Sequence, residues 1–138
     1  MNTPTGPKLI RPDGWPRPSG YADAISTPAG RTIWISGQVG WNPATSEFES
    51  DDFATQCGQA LRNVAALLSA AGAAPSRVAR LTWYVTNREE YVAARADVGR
   101  AYREVFGAHY PAMSVVVVAG LVEERAKVEI EATAVIGS

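Results

Sequence analysis

The sequence predicts an α+β fold: a mixed β-sheet with two amphipathic helices packed on one face, in a single domain spanning residues 1–138. Three observations predict it. In the run Ala126–Ile136, Val128, Ile130, Ala132 and Ala134 alternate with Lys127, Glu129, Glu131 and Thr133, the period of a half-buried strand. In Asp51–Ala73, Phe53, Cys57, Ala60, Leu61, Val64, Leu67, Leu68 and Ala71 form one helical stripe. The run Ala112–Ala119 does not alternate: Val115 to Val118 are apolar on both faces, so this strand needs cover on both sides. Two helices cover one face only. The other, carrying Met113, Val115 and Val117 or their alternates, is expected to meet another copy of the same sheet, which makes the chain a homo-oligomer.

In chain order, residues 1–20 carry prolines at 4, 7, 12, 16 and 18, so this segment is read as extended, with a short strand at Lys8–Arg11. Tyr21–Thr27 and Arg31–Gln38, separated by Pro28-Ala29-Gly30, read as a hairpin. Trp41-Asn42-Pro43 opens a loop that runs to Ser50. The first helix has acidic residues at its start and Gly72 at its end. Arg77–Thr86 is a strand with Leu81, Trp83 and Val85 on one face. Asn87 caps a second helix, with Glu90 completing a capping box. Its stripe is Tyr91, Ala94, Val98, Ala101, Tyr102, Val105 and Phe106, and Gly107 stops it. The two terminal strands, linked through Glu123, Glu124 and Arg125, read as a pair. The order is β-β-β-α-β-α-β-β.

Composition excludes several functions. A chain of 138 residues buries roughly 70% of its unfolded surface, enough for one core. The net charge of −1, from 13 basic and 14 acidic side chains with no basic run, lacks the footprint of a nucleic-acid binder. No apolar stretch is long enough to span a bilayer, and the N-terminus has prolines and glycines where a signal peptide needs an apolar core, so a cytoplasmic protein is expected. The single cysteine, Cys57, lies on the apolar stripe of the first helix and reads as core. His109 is the only histidine and reads as a loop residue, so a single chain cannot assemble a zinc-type cluster. Neither G-x-G-x-x-G nor a Walker pattern is present, so no nucleotide-phosphate cradle is expected.

One set of motifs runs in order through most of the chain: Gly20-Tyr21, Ile35-Ser36-Gly37-Gln38, Asn42-Pro43, Gln59 and Asn63 on the first helix, Ala70-Ala71-Gly72-Ala73, Tyr110-Pro111-Ala112 and Val128-Glu129-Ile130-Glu131-Ala132. Together they resemble the Rid (YjgF/RidA) family from about Tyr21 to Val135. The resemblance implies a chorismate-mutase-like fold and a homotrimer with small-molecule clefts between subunits. It also implies cofactor-free hydrolysis of reactive enamines and imines, such as 2-aminoacrylate, to a keto acid and ammonia. Archetypal members grip the substrate carboxylate with an Arg directly after the Pro-Ala pair; here that position is Met113, and a thioether cannot form the bidentate pair a guanidinium makes. A family Cys is Val115 here, and a family Asn on the second helix is Gly99.

The candidate catalytic residues are Glu129, to position or activate water, and Tyr21, to hold the substrate; the candidate ligand-binding residues are Ser36, Met113 and Trp34. Glu129 is expected on the same sheet face as Met113 if the last two strands pair in the register the resemblance implies. Trp15, Trp41 and Trp83 read as core and loop anchors, the alternative being that one or two of the four tryptophans line a cleft sized for an aromatic or acyl ligand. The expected function is an enamine or imine deaminase for a substrate other than 2-aminoacrylate. The alternatives are a non-catalytic metabolite-binding trimer and, against the charge balance, an endoribonuclease. A cation from Arg17, Arg31 or Arg125 beside Glu129 would favour catalysis on a carboxylate.

Overall fold

The computed structural model describes residues 6–137; residues 1–5, including Pro4 of the expected extended segment, and Ser138 lie outside the described residues. The elements are β1 (Lys8–Ile10), β2 (Ala24–Ser26), β3 (Gly30–Val39), α1 (Phe53–Ala70), a 3₁₀ turn at Pro75–Arg77, β4 (Val78–Val85), α2 (Arg88–Ala93), α3 (Arg95–Phe106), β5 (Ala112–Val117) and β6 (Val128–Gly137). The main sheet has the order β3-β6-β4-β5, and β1 and β2 form a separate antiparallel pair. The helices lie on one face, and no helix among the described residues is long and apolar enough to cross a membrane.

Two expected pairings are corrected. The hairpin between Tyr21–Thr27 and Arg31–Gln38 does not form: β2 pairs with β1, and β3 pairs along its length with β6, from Gly30↔Gly137 to Val39↔Glu129. The ten-residue β6 offers β3 an apolar face for Ile33 and Ile35, which a three-residue β2 cannot match. Nor do the last two strands pair with each other. β4 lies between them, parallel to β5 and antiparallel to β6. Residues 118–127 are long enough to cross the end of β4, where Val118 donates to Val85 and Thr86 donates to Lys127.

The expected second helix is two. Asn87 Oδ1 accepts from the Glu90 amide at 2.8 Å and starts α2, which ends at Ala94; α3 then carries the buried Val98, Tyr102 and Phe106. The capping box is half made, because the Glu90 carboxylate pairs instead with Lys127 Nζ at 2.9 Å. At the other helix, the Asp52 carboxylate accepts from the Thr55 amide and hydroxyl at 3.0 and 2.7 Å, which holds its carboxyl below the usual range. Gly72 and Gly107 follow α1 and α3 in left-handed backbone, at φ 80° and 62°.

The core joins Cys57, Leu61, Val64 and Leu68 of α1 to Leu81, Trp83 and Val85 of β4 and Val128, Ile130 and Ala134 of β6. Two buried amides tie loops to it. Gln56 donates to Ser50 and Arg125 carbonyls and accepts from the Lys127 amide; Asn63 donates to the Val39 and Trp41 carbonyls and accepts from Gln59. The Gln59 and Asn63 motif residues thus hold the exit of β3. They are structural.

Candidate active site

The direction of each side chain on β4 divides the candidate residues. Leu81, Trp83 and Val85 face the helices, and their β5 partners Met113, Val115 and Val117 share that parity. Arg80, Thr82 and Tyr84 face the other way, with Ser114 and Val116 of β5 and with Glu129, Glu131 and Thr133 of β6. Met113 and Glu129 are therefore on opposite faces of the sheet, which corrects the expectation that they share one. The second face of β5 carries Ser114 and Val116 rather than Met113 and Val115.

On the helix side, a cleft of about 750 Å³ opens between α2, α3 and β5. Met113, Val115, Trp83 and Val98 give it an apolar floor, and Tyr91, Tyr102 and Tyr110 add phenol rings. Tyr102 stacks on Tyr110 and Phe106 at 5.2 and 5.0 Å, and its hydroxyl donates to the His109 carbonyl at 2.6 Å. His109 Nε2 in turn donates to the Val78 carbonyl at 2.7 Å, a structural role. Burial pushes the phenols of Tyr91 and Tyr102 up, so both stay protonated at neutral pH. The rim is formed by Ser19, Gly20 and Tyr21; the Ala22 amide donates to the Pro111 carbonyl at 3.0 Å, which brings Tyr21 to the cleft. Arg95 and Arg103 of α3 line the same cleft.

The open face of the sheet holds the second group. A recess of about 470 Å³ is lined by Trp34, Ser36, Arg80, Thr82, Glu131 and Thr133. Trp34 is 80% exposed there, an unusual position for an indole. Arg80 donates to Ser114 Oγ at 3.1 Å. The Tyr84 hydroxyl donates to Glu131 at 2.6 Å, the main reason its phenol is pushed up. Glu129 lies on this face across from Tyr84 and folds over Gly37. A methyl group on Gly37 would overlap its carboxylate, so the break in β3–β6 register between Ile35 and Gln38 makes room for Glu129.

Of the five candidate residues, the fold brings Tyr21 and Met113 together in the cleft, and gathers Trp34, Ser36 and Glu129 on the open face. The three cations considered beside Glu129 are elsewhere. Arg31 donates to the Ala71 carbonyl, Arg125 pairs with Asp51 at 2.8 Å, and Arg17 lines neither recess. Sequence reasoning missed Arg80, Arg95 and Arg103, although Arg95, Gly99 and Arg103 follow an i, i+4, i+8 spacing that puts them on one side of α3. Cys57 is fully buried, and burial pushes its thiol up, away from nucleophilic use. No group of three or more His, Cys, Asp or Glu among the described residues is placed to hold a metal ion.

Fold and site together define a small α+β protein with an open cleft at the edge of its sheet. A family model described as Endoribonuclease L-PSP matches residues 16–136, and the chain belongs to this family, that of the Rid (YjgF/RidA) proteins. Over 136 residues it is 32% identical to the 2-iminobutanoate/2-iminopropanoate deaminase of Dermatophagoides farinae, covering 99% of this chain and 94% of that one. Among solved structures, the Rid-family protein YyfB of Yersinia pestis matches at 33% identity with a TM-score of 0.83, over 95% of this chain and 99% of that chain. TdcF of E. coli, solved with bound serine, matches at 30% identity with a TM-score of 0.66, over 93% and 98%.

Proposed function

We propose that the chain is a cofactor-free enamine or imine deaminase whose substrate is other than 2-aminoacrylate. The observation that carries this is the convergence of Met113, Val115 and Gly99 in one cleft. All three stand where the resemblance implies an Arg, a Cys and an Asn, so every changed polar position lies where a substrate would bind. The cleft keeps Tyr21 and gains an apolar floor, and its size suits a ligand well beyond a three-carbon acid. Deaminases among its relatives support the reaction class.

In this reaction an enamine first takes a proton on carbon and gives one up from nitrogen to become the imine. Glu129 accepts a proton from water as the water oxygen bonds to the imine carbon, the C=N electron pair moves to nitrogen, and the nitrogen takes that proton back from Glu129. The carbinolamine then collapses to C=O and expels ammonia, so that imine and water give carbonyl and ammonia. Because Glu129 and Tyr21 flank opposite faces of the sheet, they act together only if the open face of one copy, with Glu129, Ser36 and Trp34, closes the Tyr21 cleft of another. A cytoplasmic homotrimer with intersubunit clefts is the assembly we propose for this.

The test is ammonia release from 2-aminoacrylate and from bulkier amino-acid-derived imines. Wild type is expected to act on the bulkier imines and to lose at least 100-fold in Glu129→Ala, roughly the share of acid–base catalysis. Met113→Arg is expected to shift preference toward 2-aminoacrylate. Wild type silent on every imine, with Met113→Arg active, would instead favour the second reading, a metabolite-binding trimer. That reading draws on the loss of polar groups from the cleft and on a relative that holds serine. The nuclease in the family description is disfavoured by the net charge of −1.

A further inference from the structure

The cleft has a chemical polarity of its own. Its floor is a thioether, two valines and an indole, and its only charged groups among the described residues are the guanidinium groups of Arg95 and Arg103 on the α3 wall. Neither forms a salt bridge among the described residues, although acidic neighbours are close in sequence: Asp97 pairs with Arg100 instead. Arg95 is occupied differently, lying 5.9 Å over the Tyr91 ring. Arg103 leans one turn back along the helix, as helical side chains do, over the space that Gly99 leaves empty. A methyl group on Gly99 would come within 3.3 Å of Arg103 Nη1. Gly99 thus gives the guanidinium a seat against the wall of a cleft whose floor is apolar.

We infer that Arg103, seated over Gly99, is the specificity-determining anchor of the cleft, and that its ligand is a carboxylate with an aromatic or branched apolar body. The carboxylate meets the guanidinium fork, and the body lies on Met113, Val115 and Trp83. A small acid such as pyruvate fills the charge but not the floor; an uncharged ketone fills the floor but not the charge. The ligand binds with its anionic end toward α3 and its apolar end toward the sheet. This inference deepens the deaminase reading by naming a substrate class, and rests on it for turnover but not for binding.

The experiment is calorimetric titration of the intact protein with phenylpyruvate, phenylacetone and pyruvate, beside ammonia-release kinetics on the matching imines. Phenylpyruvate is expected to bind about 10-fold or more tighter than either analogue. Arg103→Ala is expected to remove its advantage over phenylacetone, and Arg103→Lys to restore part of it. Gly99→Val keeps Arg103 and the net charge but fills its seat, and is expected to lose the advantage as Arg103→Ala does. Circular dichroism and thermal melts establish that each variant is folded. Equal affinity for phenylpyruvate and phenylacetone, no binding of phenylpyruvate, or an advantage that survives Arg103→Ala would overturn the inference. So would an equal loss in Arg95→Ala, which would mean general attraction by positive charge. Arg103-dependent binding without hydrolysis upholds the anchor and removes the deaminase reading; hydrolysis with a KM indifferent to Arg103→Ala does the reverse.

Discussion

Single residues carry separable roles in this chain. Asn63 satisfies two carbonyls that the exit of β3 would otherwise leave unpaired, so Asn63→Leu is expected to cost about 2–3 kcal/mol in denaturant unfolding. Asp52→Ala is expected to cost about 1 kcal/mol at pH 7. The pH dependence of that loss follows from the sign of the shift. Folding lowers the Asp52 carboxyl below its ordinary value of 3.8, so the cap stabilises above that pH and fades as pH falls through the folded value. The gap between wild type and Asp52→Ala should therefore narrow in melts below about pH 4. Both residues were legible in the sequence, Asn63 as a motif and Asp52 as an acidic helix start, but Asn63 serves the fold rather than a ligand.

At the scale of elements, the break in register between β3 and β6 is the device that places Glu129. Gly37→Ala is expected to displace its carboxylate and lower deaminase activity nearly as far as Glu129→Ala, while the melting temperature falls by only a few degrees. A loss of activity matched by global unfolding would count against this. Periodicity revealed the strands and α1 closely, because alternation and helical stripes are local. The partners of those strands were not legible: β3 meets β6 from the far end of the chain, and β4 slips between β6 and β5. The site suffered from the same gap. Val115 to Val118 are apolar on both faces, so nothing in β5 said which way Met113 points, and only its register with β4 sets it. The break at Ala94 was equally hidden, since alanine carries no signal against a helix.

The whole molecule presents an unevenly finished surface. One face of the sheet is roofed by helices, and the other displays Trp34 and Val116 beside a polar recess. The two apolar side chains left exposed on this otherwise polar face are expected to be covered by self-association. Trp34→Glu should shift the protein to single-chain mass in light scattering, with its far-ultraviolet circular dichroism unchanged. Strand order also constrains how the chain reaches this shape. β6 is the last strand in sequence, yet it is wedged between β3 and β4. As the chain is synthesised, β4, α2, α3 and β5 can gather early, whereas β3 must wait about a hundred residues for its partner. Assembly of the sheet is therefore a late closing step, and until Val128 and its successors arrive, β3 and β4 stand as unpaired edges open to wrong neighbours.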